Sequence, residues 1–141
     1  MTHTIITESE SATIDFGRQL ARELPAKVVI LLIGNLGAGK TTLAKGIVSG
    51  LGAAPEEEVA SPTFTLIHEY GEGRVYHIDL YRLDTAAQVA TLGLDEIFDH
   101  EAVVLIEWGE RFPDLMPARR VEIRLTALPG NRREITVAKL Q

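Results

Sequence analysis

A glycine-rich segment that ends in lysine and threonine has the residue types and the spacing of a phosphate-binding loop. It reads Gly34-Asn35-Leu36-Gly37-Ala38-Gly39-Lys40-Thr41 and matches the pattern G-x-x-x-x-G-K-[ST] at every fixed position. In this pattern the backbone N–H groups cradle phosphate oxygens, the lysine reaches the β- and γ-phosphates, and the threonine hydroxyl coordinates Mg²⁺. The segment therefore predicts a nucleoside triphosphate site with magnesium. Thr42 is either a further contact or an ordinary helix residue beside the phosphates.

Two carboxylates are candidates for the second metal-directed group, which in such sites closes a neighbouring strand. Glu107 ends the apolar run Val-Val-Leu-Ile-Glu, and Asp79 ends the alternating run Val-Tyr-His-Ile-Asp. The apolar run and the Trp108 that follows it favour Glu107, whereas a solvated strand end is the competing interpretation for both. His77 lies two residues before Asp79, so both share one face of the strand; we favour a packed histidine without a catalytic role.

The segments around these candidates predict the elements that position them. Residues 27–33 and 102–108 are continuous apolar runs, typical of strands buried on both faces of a parallel sheet. A short strand is predicted at 4–7. A first helix is predicted to begin at a capping box formed by Thr7 and Glu10 and to end at Pro25. Two further helices are predicted at 41–51 and at 85–98, the latter with a break at Gly93. Alternation predicts two hairpins, 63–70 with 74–81 and 119–125 with 133–140.

These elements together predict an α/β fold with a mixed, mainly parallel central sheet that is flanked by helices and carries antiparallel hairpins. We expect one P-loop NTPase domain spanning residues 1–141, since this length is typical of a single domain.

Composition limits the classes of function. The chain has no cysteine, no apolar run long enough to span a membrane, and no secretory signal in its first ten residues. We therefore expect a cytoplasmic protein without disulfides or membrane contact. The net charge of −6 disfavours direct binding of tRNA by this chain alone, although residues 117–141 carry six Lys and Arg against two Glu.

The loop and the chain length leave three functions open. About 100 residues follow the loop, which leaves little room for the lid and acceptor-binding insertions of a small-molecule kinase. A guanine-reading motif is absent from the sequence. The loop alone therefore predicts a small nucleoside-triphosphate-binding protein. It is an ATPase, a small-molecule kinase or a non-hydrolysing nucleotide sensor; the missing acceptor domain argues against the kinase, and nothing in the sequence excludes the sensor.

Four blocks of sequence in a fixed order narrow this choice. After the glycine-rich loop come S-P-T-F-T-L-I-H-E-Y (61–70), Y-H-I-D-L-Y-R-L (76–83) and L-I-E-W-G-E-R (105–111). In these blocks the chain resembles the TsaE family, also called YjeE. The resemblance implies a slow P-loop ATPase that takes ATP and Mg²⁺ as cofactors. It also implies that the protein supports the TsaB–TsaD heterodimer in making threonylcarbamoyladenosine in tRNAs, and that tRNA is contacted only through that complex.

The resemblance also implies roles for single residues. Lys40 would be the phosphate lysine, Thr41 and Glu107 would hold Mg²⁺, and Asp79 would orient or activate the attacking water, so that Asp79, Lys40 and Glu107 form the catalytic set. The remaining nucleotide contacts would come from Ser61 and Thr63 in a loop that senses the γ-phosphate and from Trp108. The turn around Thr7–Glu10 and the segment Arg132–Arg133 are the candidates for the adenine, and from them we select Thr7, Glu10 and Arg132. Without the resemblance, Arg132 and Arg133 are equally well explained as solvated residues of the hairpin. Tyr81 and Arg82 either contact a partner or support Asp79, and the sequence does not separate these roles.

Overall fold

The structure, a computed structural model, describes residues 2–140, and these residues form seven strands and four α-helices. In chain order they are β1 (Thr2–Thr7), α1 (Glu10–Ala21), β2 (Val28–Ile33), α2 (Lys40–Gly50), β3 (Ile67–Tyr70), β4 (Val75–Asp79), α3 (Ala86–Ala90), α4 (Leu94–Asp99), β5 (Val103–Glu107), β6 (Arg120–Ala127) and β7 (Arg133–Leu140). Short 3₁₀ turns lie at Glu56–Glu58, Gly109–Arg111 and Pro113–Leu115. Within residues 2–140, no helix has both the length and the hydropathy that crossing a bilayer requires.

All seven strands form one sheet in the order β1-β7-β6-β2-β5-β4-β3. The four central strands are parallel, because β2 pairs in parallel with both β5 and β6, and β5 pairs in parallel with β4. Antiparallel strands extend the sheet on both sides of this parallel centre. On one side β3 pairs with β4, and on the other side β7 pairs with both β6 and β1. The α/β class, the flanking helices and the two hairpins are thus confirmed. Parallel strands put their carboxyl ends at one edge, and the candidate residues that follow β2, β4 and β5 meet there.

The central strand β2 is buried from both faces, as its apolar run predicts. Ile30 and Leu32 pack into a cluster with α1 and α2, whereas Leu31 and Ile33 pack on the other face with residues of α3 and α4. Full burial of each such side chain contributes roughly 1.5–3 kcal/mol relative to exposure. The strand that leads into the glycine-rich loop is therefore held firmly on both sides.

Helices α1 and α2 cross in backbone contact. A Cβ built at Gly46 would lie 2.1 Å from the carbonyl oxygen of Ile14, and one at Gly17 would lie 2.7 Å from the carbonyl oxygen of Leu43. No side chain larger than hydrogen fits at either position unless the helices separate. Helix α1 is thereby fixed against the helix that begins at Lys40.

The capping box expected at Thr7 and Glu10 is wrong. Ser9 caps α1, and its Oγ accepts a hydrogen bond from the N–H of Ala12 at 3.0 Å. Thr7 is the last residue of β1 and pairs with Arg133 of β7. The Thr7 hydroxyl bonds to the side chain of Thr13 rather than to a backbone N–H of the helix, so Thr7 does not cap α1.

The first hairpin is shorter than its alternation predicts. Strand β3 begins at Ile67 rather than Thr63, because the N–H of Leu66 donates to the carbonyl of Pro62 and Leu66 has a φ of +70°. Strand β4 ends at Asp79, before Tyr81. The segment that precedes β3 is therefore a loop, and it lies against the end of β4.

Candidate nucleotide-binding site

The glycine-rich loop runs from the end of β2 to the start of α2, as the pattern requires. Gly37 and Gly39 have φ values of +80° and +104°, which side-chain-bearing residues rarely adopt. A Cβ at Gly39 would also come within 3.1 Å of Nε of Arg133. The loop ends at the amino terminus of α2, where unpaired N–H groups and the helix dipole favour an anion.

Lys40 is buried at the centre of this loop. Its Nζ donates to the carbonyl oxygen of Gly34 at 2.8 Å and stands 3.7 Å from the centroid of the Trp108 ring. Burial lowers the pKa of the Lys40 ammonium, while the carboxylates of Glu107, Glu110 and Asp79 act in the opposite direction. The cation is therefore held by a carbonyl and an aromatic face, both of which an incoming phosphate can replace or supplement.

Glu107 and Asp79 lie directly opposite each other on the paired strands β5 and β4. Oε2 of Glu107 accepts a hydrogen bond from Nε2 of His77 at 2.6 Å, and both side chains are buried. The other carboxylate oxygen of Glu107 makes no hydrogen bond within residues 2–140. His77 thus fixes one oxygen of Glu107 and leaves the other for the cleft, whereas Nδ1 of His77 is buried without a partner in the described chain.

Asp79 connects two segments of chain. Its Oδ2 accepts hydrogen bonds from the hydroxyls of Thr63 at 2.9 Å and Ser61 at 3.4 Å, and its Oδ1 accepts from the backbone N–H of Tyr81 at 2.8 Å. The Ser61 and Thr63 hydroxyls are also 2.7 Å apart. The loop before β3 is therefore attached to a buried carboxylate through two hydroxyl groups.

These groups surround one cleft of about 300 Å³ at the carboxyl edge of the sheet. Its lining comprises Leu36, Gly37, Gly39, Lys40, Thr41, Thr42, Ser61, Thr63, Asp79, Tyr81, Glu107, Trp108 and Arg133. An adjoining hollow of about 30 Å³ is lined by Glu10, Thr13 and Asn131, and it shares Gly39, Thr42 and Arg133 with the cleft. A phosphate cradle, an ammonium group, two carboxylates and several hydroxyls therefore converge on one space.

Some residues assigned from the sequence do not line this space. Thr7 is buried, and its hydroxyl is hydrogen-bonded to that of Thr13 at 2.7 Å. Arg132 turns away and donates from Nε to Oε2 of Glu8 at 2.9 Å. Gly34, Asn35 and Ala38 belong to the loop but not to the cleft wall, and Gly34 contributes the carbonyl that accepts from Lys40.

Arg133, rather than Arg132, reaches the glycine-rich loop. Its guanidinium donates to the carbonyl of Gly37 at 3.4 Å and it lines both the cleft and the adjoining hollow. Side chains alternate between the two faces of β7, so Arg133 lies on the same face as the core residues Ile135 and Val137, which pack with α2. This alternation could have indicated Arg133 from the sequence. The sequence analysis considered the segment Arg132–Arg133 and selected Arg132, which precedes β7.

The donor set of the cleft fits a magnesium ion bound together with a nucleotide. Mg²⁺ takes oxygen ligands, and in phosphate sites it uses one or two protein groups while water and phosphate oxygens supply the rest. The hydroxyl of Thr41 and the unbonded oxygen of Glu107 face the same cleft. Residues 2–140 contain no cluster of three His, Cys, Asp or Glu side chains that could hold a metal without such help.

Comparisons with known proteins agree on one family. A model of the family described as threonylcarbamoyl adenosine biosynthesis protein TsaE matches residues 7–135. The tRNA threonylcarbamoyladenosine biosynthesis protein TsaE of Treponema pallidum is 40% identical over 134 residues, which cover 94% of this chain and 98% of that protein. The protein of the same description from Synechocystis is 45% identical over 111 residues, or 74% of this chain and 69% of that protein.

A solved structure agrees with the sequence matches. The crystal structure of YdiB from Bacillus subtilis superposes with a TM-score of 0.80 and 31% sequence identity. The superposition covers 100% of this chain and 87% of that one. The likeness in fold therefore extends over the glycine-rich loop, both carboxylate strands and the terminal hairpin.

Proposed function

This chain belongs to the TsaE family, and on that premise we propose that it is a magnesium-dependent ATPase. We propose that it binds and hydrolyses ATP to support the TsaB–TsaD heterodimer in forming threonylcarbamoyladenosine in tRNAs that read codons beginning with adenine. It would act in the cytoplasm, and it would meet tRNA only within that complex. The observation that carries the proposal is the convergence of Lys40, Asp79 and Glu107 on the cleft beside the glycine-rich loop.

Binding begins with the phosphates. The N–H groups of the loop and of the first turn of α2 surround the β-phosphate, and the Lys40 ammonium exchanges the Gly34 carbonyl for β- and γ-phosphate oxygens. Trp108 stays over the ammonium and limits its motion. Thr41 and Glu107 would hold Mg²⁺, which would supply positive charge to neutralise the phosphates.

Hydrolysis needs a water molecule aligned with the γ-phosphate, and Asp79 is placed to orient it. In this structure Oδ2 of Asp79 is engaged by Thr63 and Ser61. We infer that these hydroxyls turn to the γ-phosphate when ATP is present and free that oxygen for the water. Movement of the loop that carries Ser61 and Thr63 would therefore release Oδ2 of Asp79 at the same time. Other switch loops also become ordered around a γ-phosphate.

Exposed apolar side chains around the cleft support the proposal that a partner protein binds there and controls hydrolysis. Phe64 and Leu36 are large apolar side chains that are 81% and 69% exposed, and Tyr81 is 43% exposed. All three adjoin or line the cleft, and Phe64 directly follows Thr63. Exposed apolar groups that cluster beside polar ones are typical of protein contact sites. A protein that covers Phe64 would therefore set the position of the hydroxyls that hold Asp79.

The substitution Glu107→Gln is expected to lower magnesium affinity while it keeps the fold. The amide oxygen of Gln can still accept the hydrogen bond from His77, but the side chain loses the negative charge that attracts Mg²⁺. The Mg²⁺ concentration at half-maximal nucleotide binding should rise at least about tenfold. Titration of Mg²⁺ at fixed nucleotide checks this, with Glu110→Gln as a control three residues along. Unchanged magnesium dependence in Glu107→Gln, with normal melting, would remove Glu107 from the metal site.

Phosphate release by the purified chain is expected to be slow, and addition of a TsaB–TsaD heterodimer is expected to raise it at least about tenfold. The reason is that a partner on Phe64 orders the loop that controls Asp79, as activating proteins do for other P-loop enzymes. The measurement is phosphate release from Mg-ATP by the chain alone, with the heterodimer, and with a panel of small hydroxyl-containing metabolites.

Substitution of the exposed Phe64 distinguishes a partner-stimulated ATPase from a nucleotide sensor or a kinase. Phe64→Ala should keep the slow basal rate and lose most of the stimulation, whereas Ile6→Ala, which removes an exposed apolar side chain of β1 outside the cleft, should keep both. Docking without stimulated turnover would instead indicate a nucleotide sensor. Phosphate transfer to a small acceptor would indicate a kinase.

A further inference from the structure

A further cavity of the described chain lies at the edge of the sheet opposite the nucleotide cleft. It has a volume of about 670 Å³ and forms where β2, β5 and β6 begin and β7 ends, under the turn that follows α1. We refer to it as the amino-edge groove. Since the P-loop, Asp79 and Glu107 follow the other ends of these strands, the groove and the cleft are separated by the length of the strands.

The floor of the amino-edge groove is apolar. Val29 and Val104 line it from the face of the sheet that packs with α3 and α4, with half-buried Phe98 beside them, and Val121 lines it from the opposite face, so the apolar lining runs around the edge of the sheet to Leu140. None of these residues takes part in the proposed handling of ATP. The groove thus offers hydrophobic area to an occupant that is independent of the nucleotide.

The rim of the amino-edge groove is basic, in a chain whose net charge is −6. Among residues 2–140, Lys27, Arg119, Arg120 and Lys139 line it, and Glu23 is the carboxylate in that lining. Arg120 is paired with Glu122 at 2.8 Å. For the other three cations, no ion pair is formed with any carboxylate of residues 2–140. Protein contact sites usually have an apolar centre and a polar rim, and this groove, with exposed cations around an apolar floor, has the same arrangement.

We propose that the amino-edge groove is a docking site for an acidic segment of a partner protein, in which apolar side chains alternate with Asp and Glu. Its apolar side chains would cover the valine floor, and its carboxylates would pair with Lys27, Arg119 and Lys139. Charge complementarity selects an acidic occupant. The floor favours a peptide over a nucleic acid, because single-stranded nucleic acids stack on several aromatic rings and this groove has only Phe98.

Docking at this edge leaves the nucleotide cleft open. A partner held in the amino-edge groove would stay bound in both the ATP and ADP forms, because no element of the groove belongs to the loop that holds Asp79. The proposal therefore does not rest on the proposed ATPase function. It predicts an interaction whose affinity is the same with and without nucleotide.

Fluorescence anisotropy of the full chain tests the proposal with a short fluorescein-labelled peptide of Asp, Glu, Leu and Gly. We expect saturable binding that weakens as salt is added. The same peptide with Lys in place of Asp and Glu, and a labelled oligouridylate, should bind at least about tenfold more weakly. Lys139→Glu and Arg119→Glu should each weaken binding of the acidic peptide by about fivefold, since each replaces an attraction by a repulsion.

Lys45→Glu, which makes the same change of charge on α2 outside the groove, is the matched control and should alter the affinity less than about twofold. All three variants should bind Mg-ATP as the unaltered chain does, which confirms that they fold. Absence of peptide binding, preference for the oligouridylate, or an equal loss in Lys45→Glu would each overturn the proposal.

Discussion

Lys40→Ala is expected to weaken Mg-ATP binding by at least about 100-fold, or about 2.7 kcal/mol. In the structure the ammonium stands between the Gly34 carbonyl and the Trp108 ring, at the point where the β- and γ-phosphates would lie. Burial has already removed most of its water, so its hydrogen bonds to phosphate cost little further desolvation and are charge-assisted. Arg133, the other cation among the described residues that line the cleft, is hydrogen-bonded to the carbonyls of Gly37 and Arg132 instead.

Isothermal calorimetry with Mg-ATP and with Mg-ADP measures this effect. Lys45→Ala, which removes a lysine from the same helix outside the cleft, is the matched control and should bind as the unaltered chain does. The melting temperature without nucleotide shows whether Lys40→Ala still folds. Binding of Mg-ATP within about twofold of the unaltered chain would mean that Lys40 does not meet the phosphates.

Asp79→Asn is expected to preserve ATP binding and to lower turnover by about 100-fold or more, which is the usual scale for loss of an acid–base group. The amide has almost the same shape, and its oxygen can still accept from the N–H of Tyr81. It cannot present a negative oxygen to a water molecule. Binding and hydrolysis should therefore separate in this variant.

Single-turnover phosphate release, with binding measured in parallel, tests the assignment of Asp79. Asp84→Asn changes an exposed carboxylate five residues along and should leave both quantities unchanged. If Asp79→Asn turns over ATP at the normal rate, Asp79 only holds the loop through Thr63 and Ser61. The water would then have to be oriented by another group in the cleft.

The phosphate loop and its flanking elements could be predicted from the sequence because their signals are local. Residues 34–41 carry the complete pattern, and the apolar runs before it and before Glu107 match buried parallel strands. The break at Gly93 and both hairpins were predicted from local turn residues in the same way. The contact between His77 and Glu107 was not predictable, since it depends on the register of β4 against β5, thirty residues apart in sequence.

An error in the sequence analysis arose where a local spacing rule was applied at the end of a strand. Thr7 has the spacing of a helix cap, but it ends β1, its hydroxyl bonds to that of Thr13, and Ser9 caps α1. The role of Arg132 as a nucleotide contact, which came from the family resemblance, stays a prediction; Arg133, which pairs with Thr7 of β1, is the arginine that lines the cleft. The pairing of β1 with β7, which joins distant parts of the chain, places both Thr7 and Arg133.

The glycine contact between α1 and α2 also decides which wall of the cleft can transmit a change of nucleotide. Where two backbones touch at Gly17 and Gly46, no side chain lies between them whose rotamers could absorb a displacement, so this side of the cleft is mechanically stiff. The opposite wall, residues 61–63, is held to Asp79 by hydroxyl hydrogen bonds that exchange readily with water. If ATP is bound and hydrolysed as we propose, loss of the γ-phosphate would therefore move that loop against a stationary P-loop. A partner that responds to the nucleotide state of this protein has to touch the moving wall, because the stiff one carries no signal.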